Sequence, residues 1–86
     1  MNVKIEPIFL LNTKIEDLEK LKLITTRVYL NIKVLGLKNF NELLQVIRDS
    51  ETDKKAEKRL ENFGQRSVDE VNDLFKRAGI SVPKYW

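Results

Sequence analysis

Leu60-Glu61-Asn62-Phe63-Gly64-Gln65-Arg66-Ser67-Val68-Asp69-Glu70-Val71 decides how this chain is read. A hydrophobic residue and a glycine punctuate the end of one short helix, and a second helix begins almost at once. Its first turn carries a cation, Arg66, and a hydroxyl, Ser67. The first N–H groups of a helix have no intrahelical partner and point beyond its end. With Arg66 and Ser67 beside them they form a candidate anion site, and for a small basic chain the expected anion is a nucleic-acid phosphate. The structural alternative is an ordinary helix start behind a glycine. Asp69 and Glu70, three and four residues on, would then merely pair with Arg66.

Downstream of this stretch the spacing predicts a last helix over about 66–78, with Val68, Val71, Leu74 and Phe75 inward and Gly79 ending it. A tail follows with Ile80, Val82, Tyr85 and Trp86, and its aromatic rings argue that it is packed down. Upstream, Thr52 or Asp53 can cap a short helix through Leu60. Residues 48–55 carry charges at six of eight positions and read as a solvated turn or a helix extension. Phe40, Leu43, Leu44 and Ile47 recur at helical spacing behind an Asn39 cap. Thr25 or Thr26 opens a helix over 27–35, stopped by Gly36 at a left-handed position, and Leu37 folds back after it. Asn12 or Thr13 caps a helix over about 14–20, with Ile15, Leu18 and Leu21 apolar and Glu16 and Asp17 in the favourable first turn. Pro7 interrupts the apolar residues Val3, Ile5 and Ile8 through Leu11, so residues 1–11 read as an extended arm, or as a two-stranded edge.

The expectation is therefore an all-α fold of about five short helices. Residues 1–11 form the arm, 12–80 the helical body and 81–86 the packed tail of one small domain. Helix, glycine and helix recur around Gly36 and Gly64, a helix-hairpin-helix-like pattern whose turns would present backbone N–H groups to phosphates.

Composition narrows the function. The chain of 86 residues has no cysteine and no histidine, which leaves no disulfide, no zinc-thiolate site and no Cys or His nucleophile–base pair. No ligand cluster or phosphate-binding loop is apparent, so no catalytic residue, metal or cofactor is expected. The net charge is +3, and the basic excess is spread over both halves. A nucleic-acid site must then be a local cluster of cations. Lys54, Lys55, Lys58 and Arg59 are interleaved with Asp53 and Glu57 and read as a solvated face. With no long apolar run and no signal-peptide pattern, a cytoplasmic protein without membrane association is expected.

At the level of motifs the chain resembles the C-terminal domain of the α subunit of bacterial RNA polymerase. Pro7-Ile8-Phe9-Leu10 and Ile15-Glu16-Asp17-Leu18-Glu19 are similar to that family's opening Pro-Ile-Leu-Leu and Ile/Val-x-Asp-Leu-Glu stretches. Residues 27–37 are similar to its Arg-Ser-x-Asn-Cys-Leu-Lys-x-Ala-Gly-Ile segment. Residues 62–71 follow its Asn-Leu-Gly-x-Lys-Ser-Leu-x-Glu-Ile segment nearly position for position, and 77–82 with the terminal Trp86 fit its end. The likeness spans about 80 residues in order.

The resemblance implies minor-groove binding to A·T-rich double-stranded DNA and docking with RNA polymerase or transcription regulators. It makes Arg27 the groove residue, a placement favoured by the negative potential of a narrow groove. Gly64, Arg66 and Ser67 become backbone contacts, and Glu70 orients Arg27 or contacts a partner. Lys33 is peripheral to the site. The chain departs from the family at Val28 and Leu30, where the family has Ser and Asn. Asn31, at the usual Cys position, offers an amide displaced by about 100° around the helix. Those apolar replacements support an alternative, a protein–protein interaction module of the same fold that has lost DNA binding.

Overall fold

The computed structural model describes residues 4–83 and 86, and six helices follow one another in it: α1 (Pro7–Asn12), α2 (Ile15–Lys20), α3 (Thr26–Val34), α4 (Phe40–Asp49), α5 (Lys54–Leu60) and α6 (Gln65–Arg77). Among the described residues there is no strand, only an isolated antiparallel bridge between Lys14 and Asn39. Val3 of the expected arm and Tyr85 of the tail lie outside the described residues.

The largest departure from the sequence expectation is α1, which replaces most of the arm and excludes the two-stranded edge for 7–12. Glu6 is extended, as a residue before proline should be. That conformation is also the N-cap conformation, and its carboxylate accepts from the N–H groups of Ile8 (3.2 Å) and Phe9 (2.6 Å). Pro7 occupies the first helical position, where its missing N–H would have been an orphan anyway. The proline therefore starts a helix. Asn12 and Thr13 consequently end α1 and do not cap α2. The start of α2 has no capping side chain; the Ile15 N–H donates to the Lys38 carbonyl (3.0 Å), tying it to the loop before α4.

The other caps follow the sequence closely. Thr25, Asn39 and Asp53 each accept a backbone N–H at the start of α3, α4 and α5. Gly36 (φ 78°) and Gly79 (φ 71°) end α3 and α6 in the left-handed conformation. At each end the N–H of the glycine and of the next residue fold back onto the helix, Gly36 to Lys33 and Leu37 to Ile32, Gly79 to Lys76 and Ile80 to Phe75.

The end of α2 uses the same double bond, Lys22 to Glu19 and Leu23 to Leu18, but with Lys22 at φ 61°. A side chain in this region costs about 1–2 kcal/mol, partly offset by the larger entropy that glycine loses on folding. Lys22→Gly should therefore raise the unfolding free energy by about 0.5–1 kcal/mol. A urea titration followed by circular dichroism will show a higher midpoint at unchanged slope.

The core lies where α1 and α5 flank α4 and α3 packs on α2 and α6. Leu10, Ile15, Leu18, Val28, Ile32, Phe40, Leu43, Ile47, Val71 and Phe75 are fully buried, with the Phe40 and Phe75 rings edge to face at 5.6 Å. Trp86 packs edge to face on Phe63 at 5.5 Å, and its carbonyl accepts from Asn72 (3.3 Å). The end of the tail is thus held on the body.

Candidate nucleic-acid interface

α3 and α6 run antiparallel along their shared edge, because Thr25 meets Glu70 while Asn31, further along α3, meets Ser67 nearer the start of α6. The Glu70 carboxylate accepts from both the N–H and the hydroxyl of Thr25, each at 2.8 Å. Thr25 in turn caps α3 by accepting from the Val28 N–H (3.4 Å). Asn31 donates its amide to the Ser67 hydroxyl at 2.8 Å, and Ser67 is buried. These bonds fix the register of the two helices.

Arg27 stands at the end of that seam. Its guanidinium lies 3.8 Å from a Glu70 oxygen, and the Arg27 side chain is 50% exposed against 21% for Glu70. An ion pair so open to water contributes little stability. At 3.8 Å the contact is longer than a hydrogen bond, and half of the arginine side chain is open to solvent. Arg66 is exposed one turn before Glu70 on the same strip of α6, since residues four apart on a helix share a face. Arg66 is thus one turn from the carboxylate that the Arg27 guanidinium approaches.

Before Arg66, on the side away from Glu70, lies the start of α6. Gly64 is its N-cap and is exposed, and no side chain caps this end. The helix dipole and the leading N–H groups give this end a partial positive charge. Gly64 sits at φ −74°, and a Cβ built on it meets nothing within 4 Å. The position therefore requires no left-handed backbone, and a side chain there would be strained by nothing within the protein. Gly36 and Gly64 also do different jobs, one ending a helix at positive φ and the other starting one. Their recurrence in the sequence is not a repeat of one turn geometry.

Lys33 is not brought to the seam. It lies about 120° around α3 from Arg27, and its ammonium donates to the Tyr29 hydroxyl (3.1 Å) and sits 5.4 Å from that ring's centre. The bond to Tyr29 raises its pKa above the ordinary lysine value. The two apolar departures from the family pattern separate: Val28 is fully buried in the core, whereas Leu30 is 51% exposed. Val34, one turn further on the Leu30 side, is 74% exposed. Sequence reasoning did not single out Val34, although its four-residue spacing from Leu30 marks it.

No protein-family model matches the chain, and neither the curated proteins nor the solved structures include a match to it. Among the described residues no helix is long and apolar enough to cross a membrane.

Proposed function

We propose that this protein is a transcription-related DNA-binding domain, a binding protein and not an enzyme, that lays the α3–α6 seam on the minor groove and phosphate backbone of A·T-rich double-stranded DNA. The observation that carries this reading is the seam itself. Residues 36 positions apart in sequence, Asn31 and Ser67, are hydrogen-bonded, and Arg27 meets Glu70 on the helix whose start, at Gly64, carries no side-chain cap. Arg27 enters the groove, where a cation is favoured by the narrow-groove potential. Arg66 and the leading N–H groups of α6 take phosphates, and the absence of a side chain at Gly64 lets the backbone approach closely, in the manner of a helix-hairpin-helix turn. Asn31 and Ser67 hold the register, and Lys33, on Tyr29, stays at the periphery. The motif resemblance to the RNA polymerase α C-terminal domain supports the same reading. It extends the partners to RNA polymerase or its regulators, in the cytoplasm.

The test is a titration of A·T-rich and G·C-rich duplexes at two salt concentrations. With three phosphates contacted, at Arg27, at Arg66 and at the start of α6, the log–log salt slope is about −2.7, so raising salt from 50 to 200 mM weakens binding about forty-fold. Arg27→Ala should weaken binding to the A·T-rich duplex about ten-fold or more and reduce the preference for it. Absence of binding at low salt, or indifference to Arg27→Ala, removes the proposal.

The exposed Leu30 and Val34 support a second reading, in which the same face docks a protein. Under it, Leu30→Ser abolishes partner capture while duplex affinity is absent from the start.

A further inference from the structure

We infer that α5 is a second phosphate-binding element, so that the DNA footprint runs from Arg27 past the start of α6 to Lys55 and Lys58, with Arg59 anchoring that edge to α3. This rests on the DNA reading above and specifies how the domain sits on its ligand. The sequence shows these cations interleaved with acids, as on any solvated face. The fold sorts them.

α5 buries Ala56 and Leu60, with Lys55 and Arg59 along one side of that stripe, Glu57 and Glu61 along the other, and Lys54 and Lys58 on the outer face. On one edge Glu57 and Glu61, together with Glu51, line an open groove of about 610 Å³ floored by Leu60, Val68 and Trp86. On the other edge Arg59 reaches α3 and donates to the Leu35 carbonyl at 2.8 Å. Lys55 lies one turn before Arg59 on the same face, and Lys58 lies on the outer face of the helix, three residues from both Lys55 and Glu61. All three are exposed.

The tether to Leu35 sets the position of this basic edge. Leu35 is the C-cap of α3, and Arg27 is near its first turn. The two cationic groups therefore stand at opposite ends of one helix, about 12 Å apart along its axis. One DNA strand presents a phosphate about every 3.4 Å of axial rise, so this separation spans three to four phosphates. The start of α6 falls between the two ends, because Ser67 meets α3 at Asn31. Cations at both ends with an uncapped helix start in the middle make one basic track. Glu57 and Glu61 on the far edge of α5, with Glu51 in the turn before it, would be repelled by a phosphate backbone, which selects one orientation of the domain on the duplex.

Arg59 also satisfies a carbonyl at the end of α3, so its removal would confound stability with binding. The test therefore uses Lys55→Gln/Lys58→Gln in the full chain, titrated by fluorescence anisotropy against a labelled A·T-rich duplex between 50 and 200 mM salt. Two further neutralised phosphates make the wild-type slope about −4.5, an affinity loss of about 500-fold over that range. The double variant should return to a slope of about −2.7 and a loss of about forty-fold, with an unchanged circular dichroism spectrum. Glu57→Gln/Glu61→Gln should leave the slope as in wild type. A wild-type slope near −2.7 that the lysine variant does not change overturns the role of α5 and leaves the Arg27 seam standing. Absence of duplex binding by the wild-type chain overturns both.

Discussion

Phe75→Ala should lower the unfolding free energy by about 3–5 kcal/mol, the usual cost of removing a fully buried aromatic ring. Phe75 has no exposed surface and packs edge to face against Phe40 at 5.6 Å. The loss combines the transfer free energy of the ring, the edge-to-face term and the cavity left between α4 and α6. A chain of this length has about 4–13 kcal/mol of total stability, so this one substitution removes a large fraction of it. The midpoint of thermal unfolding should fall by about 15–30 °C. Trp86 is the chain's single tryptophan and packs edge to face on Phe63, so its fluorescence reports the transition alongside circular dichroism. A shift of only a few degrees would mean that α4 and α6 do not share the close-packed core described above.

Glu70→Ala has the next largest effect expected, about 2 kcal/mol. The carboxylate accepts two bonds from Thr25, and charge-assisted bonds are worth about 1.5–3 kcal/mol each when well shielded. Partial exposure of Glu70 brings the pair toward the lower end of that range. Thr25 is also the cap of α3, so the loss loosens the start of the helix that carries Arg27. Glu70→Gln keeps an acceptor and a donor at the same place and should recover more than half of the stability. The two variants differ in their effect on duplex binding as well. Glu70→Gln removes a negative charge beside Arg27 and should tighten binding slightly, whereas Glu70→Ala frees the arginine and weakens it. Equal behaviour of the two would show that Glu70 acts through its charge alone and does not position α3.

Most helix boundaries were legible in the sequence because they are set by local chemistry. Asn39 and Asp53 have side chains of the right length to take a backbone N–H two or three residues on, and Gly36 and Gly79 tolerate the left-handed turn that ends a helix. Val71, Leu74 and Phe75 recur at the helical period, so their burial followed from spacing. The start of the chain is ambiguous in the sequence, because Pro7 serves equally to keep a strand out and to begin a helix. The deciding feature was the Glu6 carboxylate capping Ile8 and Phe9, which requires the helix to exist already.

The candidate site divides along the same line. The sequence by itself determined the residue types, a cation and a hydroxyl at one helix start and a cation behind a threonine cap at another. Tertiary structure alone decided which of them meet. Thr25 and Glu70 are 45 residues apart, and only the antiparallel packing of α3 on α6 brings the carboxylate to Arg27 and the Asn31 amide to Ser67. The same packing turned Val28 inward and left Leu30 outside, a distinction of about 160° around one helix that no count of apolar residues reveals. Side-chain chemistry acts over a few residues, while the sorting of charges on α5 and the placement of Arg59 against Leu35 depend on how whole helices settle into a shared core.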